Sequence, residues 1–473
     1  MLINNDTIAS LATPTTGSSA ISVIRISGND SISIVEDIFI SIKPGKKLKN
    51  QSTHTIHLGF LVEEKKVGNE NFLDQVLISV FKTPFSYTGE NMIEISCHGS
   101  YYIQQKILQL LIKKGIRLAK PGEFTLRAFL NKKIDLSQAE AIADIISSEN
   151  KVFHDISLQH IKGSLSNTIK NLRDKLLDFA SLLELELDFS EENLIFADRF
   201  DISSFFHKSK KILKDLIESF SLGNAIKKGI FVVIVGGPNV GKSTLFNSIL
   251  KEERSITSSQ KGTTRDCIEG TIVLNGILFR FLDTAGIRKK SKNAIEILGM
   301  KKTMSKIKES EVILYVFDSS SIQNIKSINK IIDQINSFDK EYPSKNIFVL
   351  ANKSDIPHHF QYFQHIKSRF SYFFEISAKN NHGVDQVLIN LSHLFVEKLK
   401  DKNIIVTQNR HYEALNLSLE EMNLAHDAFN KGVSEDLISI HIKEVLRHLG
   451  KITGEITNED ILTNIFSKFC IGK

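Results

Sequence analysis

Apolar and polar positions follow different rhythms along the 473-residue chain. Up to residue 119 the rhythm is mixed. "SVIRIS" and "QVLISVF" are β-branched, apolar and strand-like, whereas "YYIQQKILQLLIKKG" carries its apolar residues at helical spacing. From 120 to 225 the pattern is helical. Ser137 and Glu140 read as a capping box ahead of "AIADII". Leu165, Ile169, Leu172, Leu176, Phe179, Leu183 and Leu187 then recur at four-three spacing, which predicts a core-facing helix or a bundle seam. From 226 to 399 short apolar strands alternate with amphipathic helices, the signature of a parallel sheet. Within it "VLNGIL" puts Asn275-Gly276 at a hairpin turn. From 400 to 473 the helical pattern returns, with Tyr412, Leu415, Leu419, Met422 and Ala425 on one face. Thr457 and Asp460 are placed to cap a last helix. The predicted fold class is multidomain α/β plus all-α. An N-terminal α/β domain covers 1–119, and a helical domain in two parts (120–225 and 400–473) hosts an inserted α/β unit at 226–399.

Composition changes this picture little. The length suggests about three domains at roughly 150 residues each. Hydrophobic residues at 41% and charged residues at 24% are ordinary for a globular protein. Apolar runs such as "GIFVVIVGG" are too short to span a bilayer. The N-terminal residues lack the basic start and apolar stretch of a secretory signal. Cys97, Cys267 and Cys470 are scattered singly and form neither a zinc pattern nor a disulfide framework, which points to a reducing cytoplasm. Cys470, on an apolar helix end, is expected to be buried. The net charge of +6 permits an RNA partner without arguing for one.

The chemistry concentrates in the third region. "GGPNVGKST", Gly236 to Thr244, follows a strand and precedes a helix, the context a phosphate-binding loop requires. Its core, Asn239, Val240, Gly241, Lys242, Ser243 and Thr244, offers backbone N–H groups to phosphates. Lys242 would neutralise β/γ oxygens, and the Ser243 hydroxyl would reach magnesium. Thr264 in "GTTRD" is placed to add a second hydroxyl to the metal. "DTAG", Asp283, Thr284, Ala285 and Gly286, bounds the γ-phosphate side. In "VLANKSD", Asn352 and Asp355 suit a guanine edge and the Lys353 stem can cover the base. Ser377, Ala378 and Lys379 in "EISAK" close the pocket. Four motifs in this order point to a guanine-specific GTPase.

Hydrolysis also needs a positioned water and a positive charge near the γ-phosphate. Ile287 stands where Ras-type switches carry the water-orienting glutamine. Two readings stay open for Asn239. Its side-chain oxygen, with carbonyls of Ser258, Ser259, Gln260, Lys261, Gly262 and Thr263, could hold a potassium ion, or it stabilises the loop turn. Glu296 in "NAIEILG" is the candidate acid for the water; a lone helical glutamate is otherwise solvated surface.

These motifs do not stand alone. Together with "TIASLATP", "IRISG", "PFSYTGENMIEISCHG", "KPGEFTLRAFLNKKIDLSQAEAIADII" and the terminal "GEITNEDILTNIFSKFCIGK", they resemble the bacterial and organellar GTPase family that places the 5-carboxymethylaminomethyl group on tRNA uridine. The resemblance covers nearly the whole chain. It implies a homodimer built through an N-terminal folate-binding domain, with the GTPase inserted into the helical domain. It also implies a flavin- and NADH-dependent partner protein, joined in a heterotetramer, that helps modify the wobble uridine of certain tRNAs. The implied cofactors are magnesium, potassium, and 5-formyl-tetrahydrofolate or a related folate as one-carbon source. The matching folate positions are Arg25, Glu94, Lys133 and Lys473. Glu94 suits the pterin amino edge, and the cations suit the formyl oxygen and the glutamate-tail carboxylate. Family potassium ligands fall on Asn239, Ser258, Gln260 and Thr263, and the water-orienting glutamate on Glu296. The location implied is cytoplasmic, away from membranes.

The chain departs from the family pattern at three places. The potassium loop, usually Thr-Asp-Ile-Ala-Gly, is "SSQKG", so Lys261 brings a second cation close. One extra residue separates "DTAG" from Glu296, and the turn "TTGSSA" after "ATP" is one residue longer. Two other readings compete: a ribosome-assembly or translational GTPase switch, and a folate-binding aminomethyltransferase with a regulatory GTPase. The first calls for a basic RNA-binding module that does not flank this unit. Against the second stand the terminal "FCIGK" and the helical host.

Overall fold

A computed structural model describes residues 6–14, 18–63, 71–188, 199–252, 268–283, 306–322, 324–357, 360–457, 459–470 and 472. The chain divides into two compact units. One is Met1–Ile146, Gln159–Asp198 and Glu420–Lys473; the other is Ser147–Leu158 and Arg199–Leu419.

The first unit is built on a seven-stranded sheet. Its strands are β1 (Ile8–Leu11), β2 (Ser19–Ser27), β3 (Phe39–Ser41), β4 (Thr55–Val62), β5 (Phe72–Phe81), β6 (Met92–Gly99) and β7 (Arg117–Leu118). Their order is β3-β4-β5-β6-β2-β1-β7, antiparallel except where β7 lies parallel to β1. Alternation sends Ile24, Ile26, Ile78, Val80, Ile93 and Ile95 to one face. There the helices Ser31–Ile38 and Tyr101–Lys113 cover them with Val35, Ile38, Ile107 and Leu111. The alternate positions Ile56, Leu58 and Leu77 are exposed.

The stripe beginning at Leu165 forms the helix Ser164–Asp188, which packs against Glu435–Thr453. Leu165, Ile169, Leu172, Leu176, Phe179 and Leu183 are all buried. The expected capping box moves by two residues. The helix starts at Leu136, so the reciprocal pair is Asp135 and Gln138. Asp135 Oδ1 accepts from Gln138 N at 2.9 Å, and Gln138 Oε1 accepts from Asp135 N at 2.9 Å. Ser137 instead lies buried and meets Ser166 Oγ at 2.8 Å. The final helix, Glu459–Phe466, is anchored by Phe466 and Phe469 against Leu136 and Ala139. Cys470, expected to be buried, is exposed just past that anchor.

A charged knot joins the residues just before β1, β7, the turn before β6 and the helix Glu123–Leu130. Arg127 donates to Asp6 Oδ1 at 2.7 Å, to Glu90 Oε2 at 3.1 Å and to Glu123 Oε1 at 3.3 Å. Arg117 bridges Asp6 and Glu123 at 2.7 and 2.6 Å. Burial opposes ionisation of Asp6 and Glu123, but bonds and charge from Arg117 and Arg127 outweigh it and hold both carboxyls below their ordinary values.

The second unit carries a six-stranded sheet of β8 (Ile230–Gly236), β9 (Ile268–Leu274), β10 (Ile277–Asp283), β11 (Val312–Asp318), β12 (Asn346–Asn352) and β13 (Phe373–Ile376). The order is β13-β12-β11-β8-β10-β9, all parallel except for β9. Successive residues of β8 are buried on both sides, Val232 and Ile234 in one core and Val233 and Val235 in the other. Helices Lys242–Glu252 and Val384–Lys400 cover the first core, while Ile325–Glu341 and Phe360–Lys367 cover the second. The β9–β10 hairpin turns at Asn275 and Gly276, with φ of 49° and 78° as a type I′ turn requires. The helices do not stay together: Arg199–Lys228 belongs with this sheet, whereas Ser164–Asp188 belongs with the other unit.

The charged knot yields a prediction with a definite sign. Lowered native carboxyl values give stability that is complete above the ordinary carboxylate range and is lost as pH falls through the native values. Arg127→Met should destabilise the protein at pH 7 by about 1–3 kcal/mol, because half-buried Asp6, Glu90 and Glu123 lose charge-assisted bonds while Arg117 still holds Asp6 and Glu123. It should also flatten the loss of stability seen on going to about pH 4. Denaturant unfolding at both pH values checks this; an unchanged pH dependence in the variant would count against the knot.

Candidate functional site

In a parallel sheet, ligands gather beyond the carboxyl ends of the strands. Here β10 ends at Asp283, β8 runs into the loop 237–241, β11 ends at Asp318, β12 ends at Asn352 and β13 leads to Ser377. Every described residue singled out for the nucleotide site lies on this edge, whereas the Asn275-Gly276 turn lies at the other end of β10.

The loop between β8 and the helix Lys242–Glu252 is shaped by close backbone approach. Gly236 has φ of 151°, and a Cβ there would stand 2.0 Å from the Val316 carbonyl. Gly241 has φ of 98°, and its Cβ would meet Asn352 Nδ2 at 2.3 Å. Asn239 is exposed with φ of 59°. That left-handed geometry is tolerated by asparagine and exposes its side chain at the loop tip. Ser243 and Thr244 are exposed in the first turn of the helix, where unsatisfied N–H groups favour an anion. Lys242 is buried, and its Nζ donates to the carbonyls of Gly236 at 3.1 Å and Gly237 at 2.6 Å. Asp283 is buried.

Asn352 is the tie of the site. Only 2% exposed, its Nδ2 donates to the Val240 carbonyl at 2.8 Å and its Oδ1 accepts from Ala378 N at 2.9 Å. The adjoining Lys353 has φ of 68°, and its Nζ pairs with Asp318 Oδ2 at 2.5 Å. Burial opposes ionisation of Asp318, but Lys353 and the Ser320 hydroxyl and amide overcome it and lower its value. Asp355 is exposed and accepts from the Ser377 hydroxyl at 2.6 Å, which lowers its carboxyl value. Ser377 and His382 exchange backbone bonds at 2.9 and 3.0 Å and so close the loop that carries Ala378 and Lys379. Ser248 on the first helix holds the same loop through Asn381. Sequence reasoning missed Asp318, Ser248 and Asn381. For Asp318 a signal existed: "FDSSS" is a strand end followed by an Asx turn.

Glu296, Ser258, Ser259, Gln260, Lys261, Gly262, Thr263, Thr264, Thr284, Ala285, Gly286 and Ile287 lie outside the described residues, as do Cys267 and Lys473.

The first unit holds a second polar cluster. Arg25 on β2 faces Glu94 on β6 in register. Its Nε and Nη2 both bond Glu94 Oε1, at 2.9 and 2.7 Å. Nη1 reaches the Gly472 carbonyl at 3.2 Å, so the chain end meets a strand 447 positions earlier. The guanidinium lies 5.3 Å from the Tyr87 ring centre and 5.8 Å from that of Phe124. Lys133 is exposed and donates to the Pro84 carbonyl at 2.9 Å.

Comparison with known proteins decides the family. A family model described as the MnmE helical domain matches residues 136–470, and one described as the GTP-binding protein TrmE N-terminus matches 7–133. A tRNA modification GTPase MnmE from Flavobacterium psychrophilum is 49% identical over 473 residues, covering all of both chains. The chain belongs to the MnmE family. A second member, from Flavobacterium johnsoniae, is 48% identical, and one from Bacteroides thetaiotaomicron is 42% identical, each over the full length of both chains. The mixed α/β and helical architecture therefore carries both the N-terminal and the helical domain of that family. Among the described residues no helix is long and apolar enough to cross a membrane.

Asn352→Ala would leave the Val240 carbonyl and the Ala378 amide without their buried partner. At about 1–3 kcal/mol per stranded group, thermal unfolding should shift down clearly. Lys379→Ala, at an exposed position, should not move it. Calorimetry of the two variants checks this, and equal midpoints would remove Asn352 from its bracing role.

Proposed function

We propose that the chain is a potassium-activated GTPase of tRNA modification that, with a flavin-dependent partner, adds a carboxymethylaminomethyl group to the wobble uridine of certain tRNAs using a folate one-carbon unit. The observation that carries the GTPase reading is the convergence of the 237–241 loop, Asp283, Asn352, Asp355 and Ser377 on one sheet edge, in a chain matched end to end by tRNA modification GTPases. We read the α/β unit at 226–399 as inserted into the helical domain, between 120–225 and 400–473.

In this reading Asn239 to Thr244 cradle the phosphates of GTP. Lys242 exchanges its Gly236 and Gly237 carbonyls for phosphate oxygens. The exposed Ser243 hydroxyl and the buried Asp283 carboxylate fit a hard cation, and with Thr264 would hold magnesium. Asp355 accepts from the guanine edge, Lys353 covers the base, and Ser377, Ala378 and Lys379 line the pocket. Asn239, exposed at the loop tip, supports potassium binding with Ser258, Gln260 and Thr263. Potassium supplies the positive charge that offsets the γ-phosphate. Glu296 orients the attacking water, a task that Ile287 cannot perform.

The Arg25 cluster fits a folate. Both Arg25 bonds fall on Glu94 Oε1, and among the described residues Oε2 accepts none, so it can take a pterin amino group. Lys133, resting on a carbonyl at the surface, suits the glutamate tail, and Lys473 follows the Gly472 already held by Arg25. The apolar sheet face with Ile56, Leu58 and Leu77 exposed supports a homodimer through the N-terminal domain. The flavin- and NADH-dependent partner, the heterotetramer and the cytoplasmic location follow from the family resemblance.

Two outcomes test this. GTP turnover should require potassium and Glu296, since charge compensation of this kind is worth about 10³–10⁵ in rate. Wild type in sodium, and Glu296→Ala in potassium, should bind GTP and lose most turnover; equal rates in sodium and potassium would refute the cation's role. Deleting the last four residues, "CIGK", removes the Gly472 carbonyl from Arg25. It should spare GTP hydrolysis and abolish wobble-uridine modification, as read by nucleoside analysis of tRNA. Normal modification after the deletion would detach the chain end from the one-carbon site.

A further inference from the structure

Residues 38–62 contain Lys43, Lys46, Lys47 and Lys49 and no Asp or Glu. The segment comprises β3, a strand at the edge of the seven-stranded sheet, the loop to β4, and β4 itself. Lys43, Lys47 and Lys49 are exposed and Lys46 half-exposed. Among the described residues none of the four pairs with a carboxylate. The nearest acid engaged is Glu36, which accepts from the Lys49 backbone N–H at 2.8 Å. The loop is not a frayed tail. Leu48 is buried at its centre within a short 3₁₀ turn, and Gln51 Nε2 donates to the Lys47 carbonyl at 2.8 Å. Four ammonium groups are thus presented from a braced frame.

The loop continues into the folate-candidate cluster. Lys82 Nζ donates to the Lys49 carbonyl at 2.8 Å, bringing a fifth cation alongside. Phe85 N bonds the Lys82 carbonyl at 2.8 Å, and the Phe85 ring is 62% exposed. Lys133 holds the Pro84 carbonyl, and Tyr87 lies against the Arg25 guanidinium. A chain of contacts therefore links the lysine loop, through Lys82 and the turn that carries the exposed Phe85 ring, to the arginine–glutamate pair.

We infer that Lys43, Lys46, Lys47 and Lys49 dock the sugar-phosphate backbone of the tRNA while an unstacked base passes Lys82 and Phe85 toward Arg25 and Glu94. The inference rests on the proposed tRNA-modifying role. The chemistry favours a folded RNA. Lysines are point charges that neutralise phosphates without reading sequence, and single-stranded loop bases are recognised by stacking on aromatic rings such as an exposed phenylalanine. The loop therefore binds many tRNAs alike, and selection among them lies elsewhere.

The test measures binding of an unmodified tRNA transcript to the full-length protein between 50 and 200 mM salt. The variant carries Lys43→Glu, Lys46→Glu, Lys47→Glu and Lys49→Glu, with GTP turnover and thermal unfolding as controls. Expected is a loss of about tenfold or more in affinity, similar for different tRNAs. The log–log salt slope should be shallower by roughly 0.7–0.9 for each phosphate contact removed. GTP turnover should be unchanged, and arginine at all four positions should keep binding. If the glutamate variant does not fold, glutamine at the same positions gives the same readout through charge removal alone. Unchanged affinity and slope overturn the inference, as does a variant that loses binding to anionic vesicles while keeping tRNA. A wild type that binds no tRNA overturns the tRNA-modifying reading itself, a result distinct from an insensitive loop.

Discussion

The amide of Asn352 lies where the loop after β8 and the loop after β13 meet in the second unit, and the geometry of that edge depends on it. A planar amide offers a donor and an acceptor at once, and a site closed to water needs both used. Asn352 donates to Val240 and accepts from Ala378, so the loop after β8 and the loop after β13 are braced through one side chain at the end of β12. Gly241 follows from this brace, because any Cβ would collide with the amide. The adjoining Lys353 is turned into left-handed geometry, and Asp318 on the neighbouring strand receives its ammonium group. The exposed polar groups of the edge stand on a buried lattice that leaves them little room to move.

The first unit reaches a comparable result by a different route. Its cluster is held by strand register: Arg25 and Glu94 are opposite one another on antiparallel strands, so their pairing costs little extra ordering once the sheet forms. Two rings, Tyr87 and Phe124, flank the guanidinium and keep its donors aimed along the sheet. The chain end is brought in by apolar packing. Phe466 and Phe469 bury against Leu136 and Ala139, and only two residues lie between Phe469 and the Gly472 whose carbonyl Arg25 holds. A terminus that would otherwise fray becomes part of a polar site.

What was legible in the chain was local. Strand alternation, the Leu165 stripe and the Asn275-Gly276 turn each express a period or a turn chemistry within a few residues, and each formed as expected. The strand-loop-helix frame of the candidate phosphate loop was legible because its context is contiguous: strand, glycines, lysine, helix. The capping box slipped because "DLSQAE" contains both Asp-x-x-Gln and Ser-x-x-Glu, and only the start of the helix at Leu136 chooses between them. Non-local features escaped. Arg127 meets Asp6 across 121 positions, and Lys353 meets Asp318 across 35; neither residue type announces its partner. Cys470 sat on an apolar pattern, yet it is exposed beside the buried Phe469. The division of the helices between two units was equally hidden, since a buried stripe records that a helix packs and not against what.

The cations at the two candidate sites share one physical condition. Lys242 rests on loop carbonyls, Lys353 on Asp318, Arg25 on Glu94 and Gly472, and Lys133 on Pro84. None is left as a bare charge; for the buried Lys242 an unpaired charge would cost several kcal/mol. A ligand that engages them exchanges one oxygen for another, so the gain per contact is a difference between two hydrogen bonds and is small for a neutral carbonyl replaced by a neutral group. It is large where an anionic oxygen replaces a carbonyl, since charge-assisted bonds are about twice as strong as neutral ones. Lys133, parked on a carbonyl at the surface, is therefore the position that responds most to an anion. Lys353 and Arg25, already paired with carboxylates, gain little from one and act through shape instead, by covering or flanking a planar group. The resting partners thus set Lys133, which draws charge, apart from Lys353 and Arg25, which hold a frame.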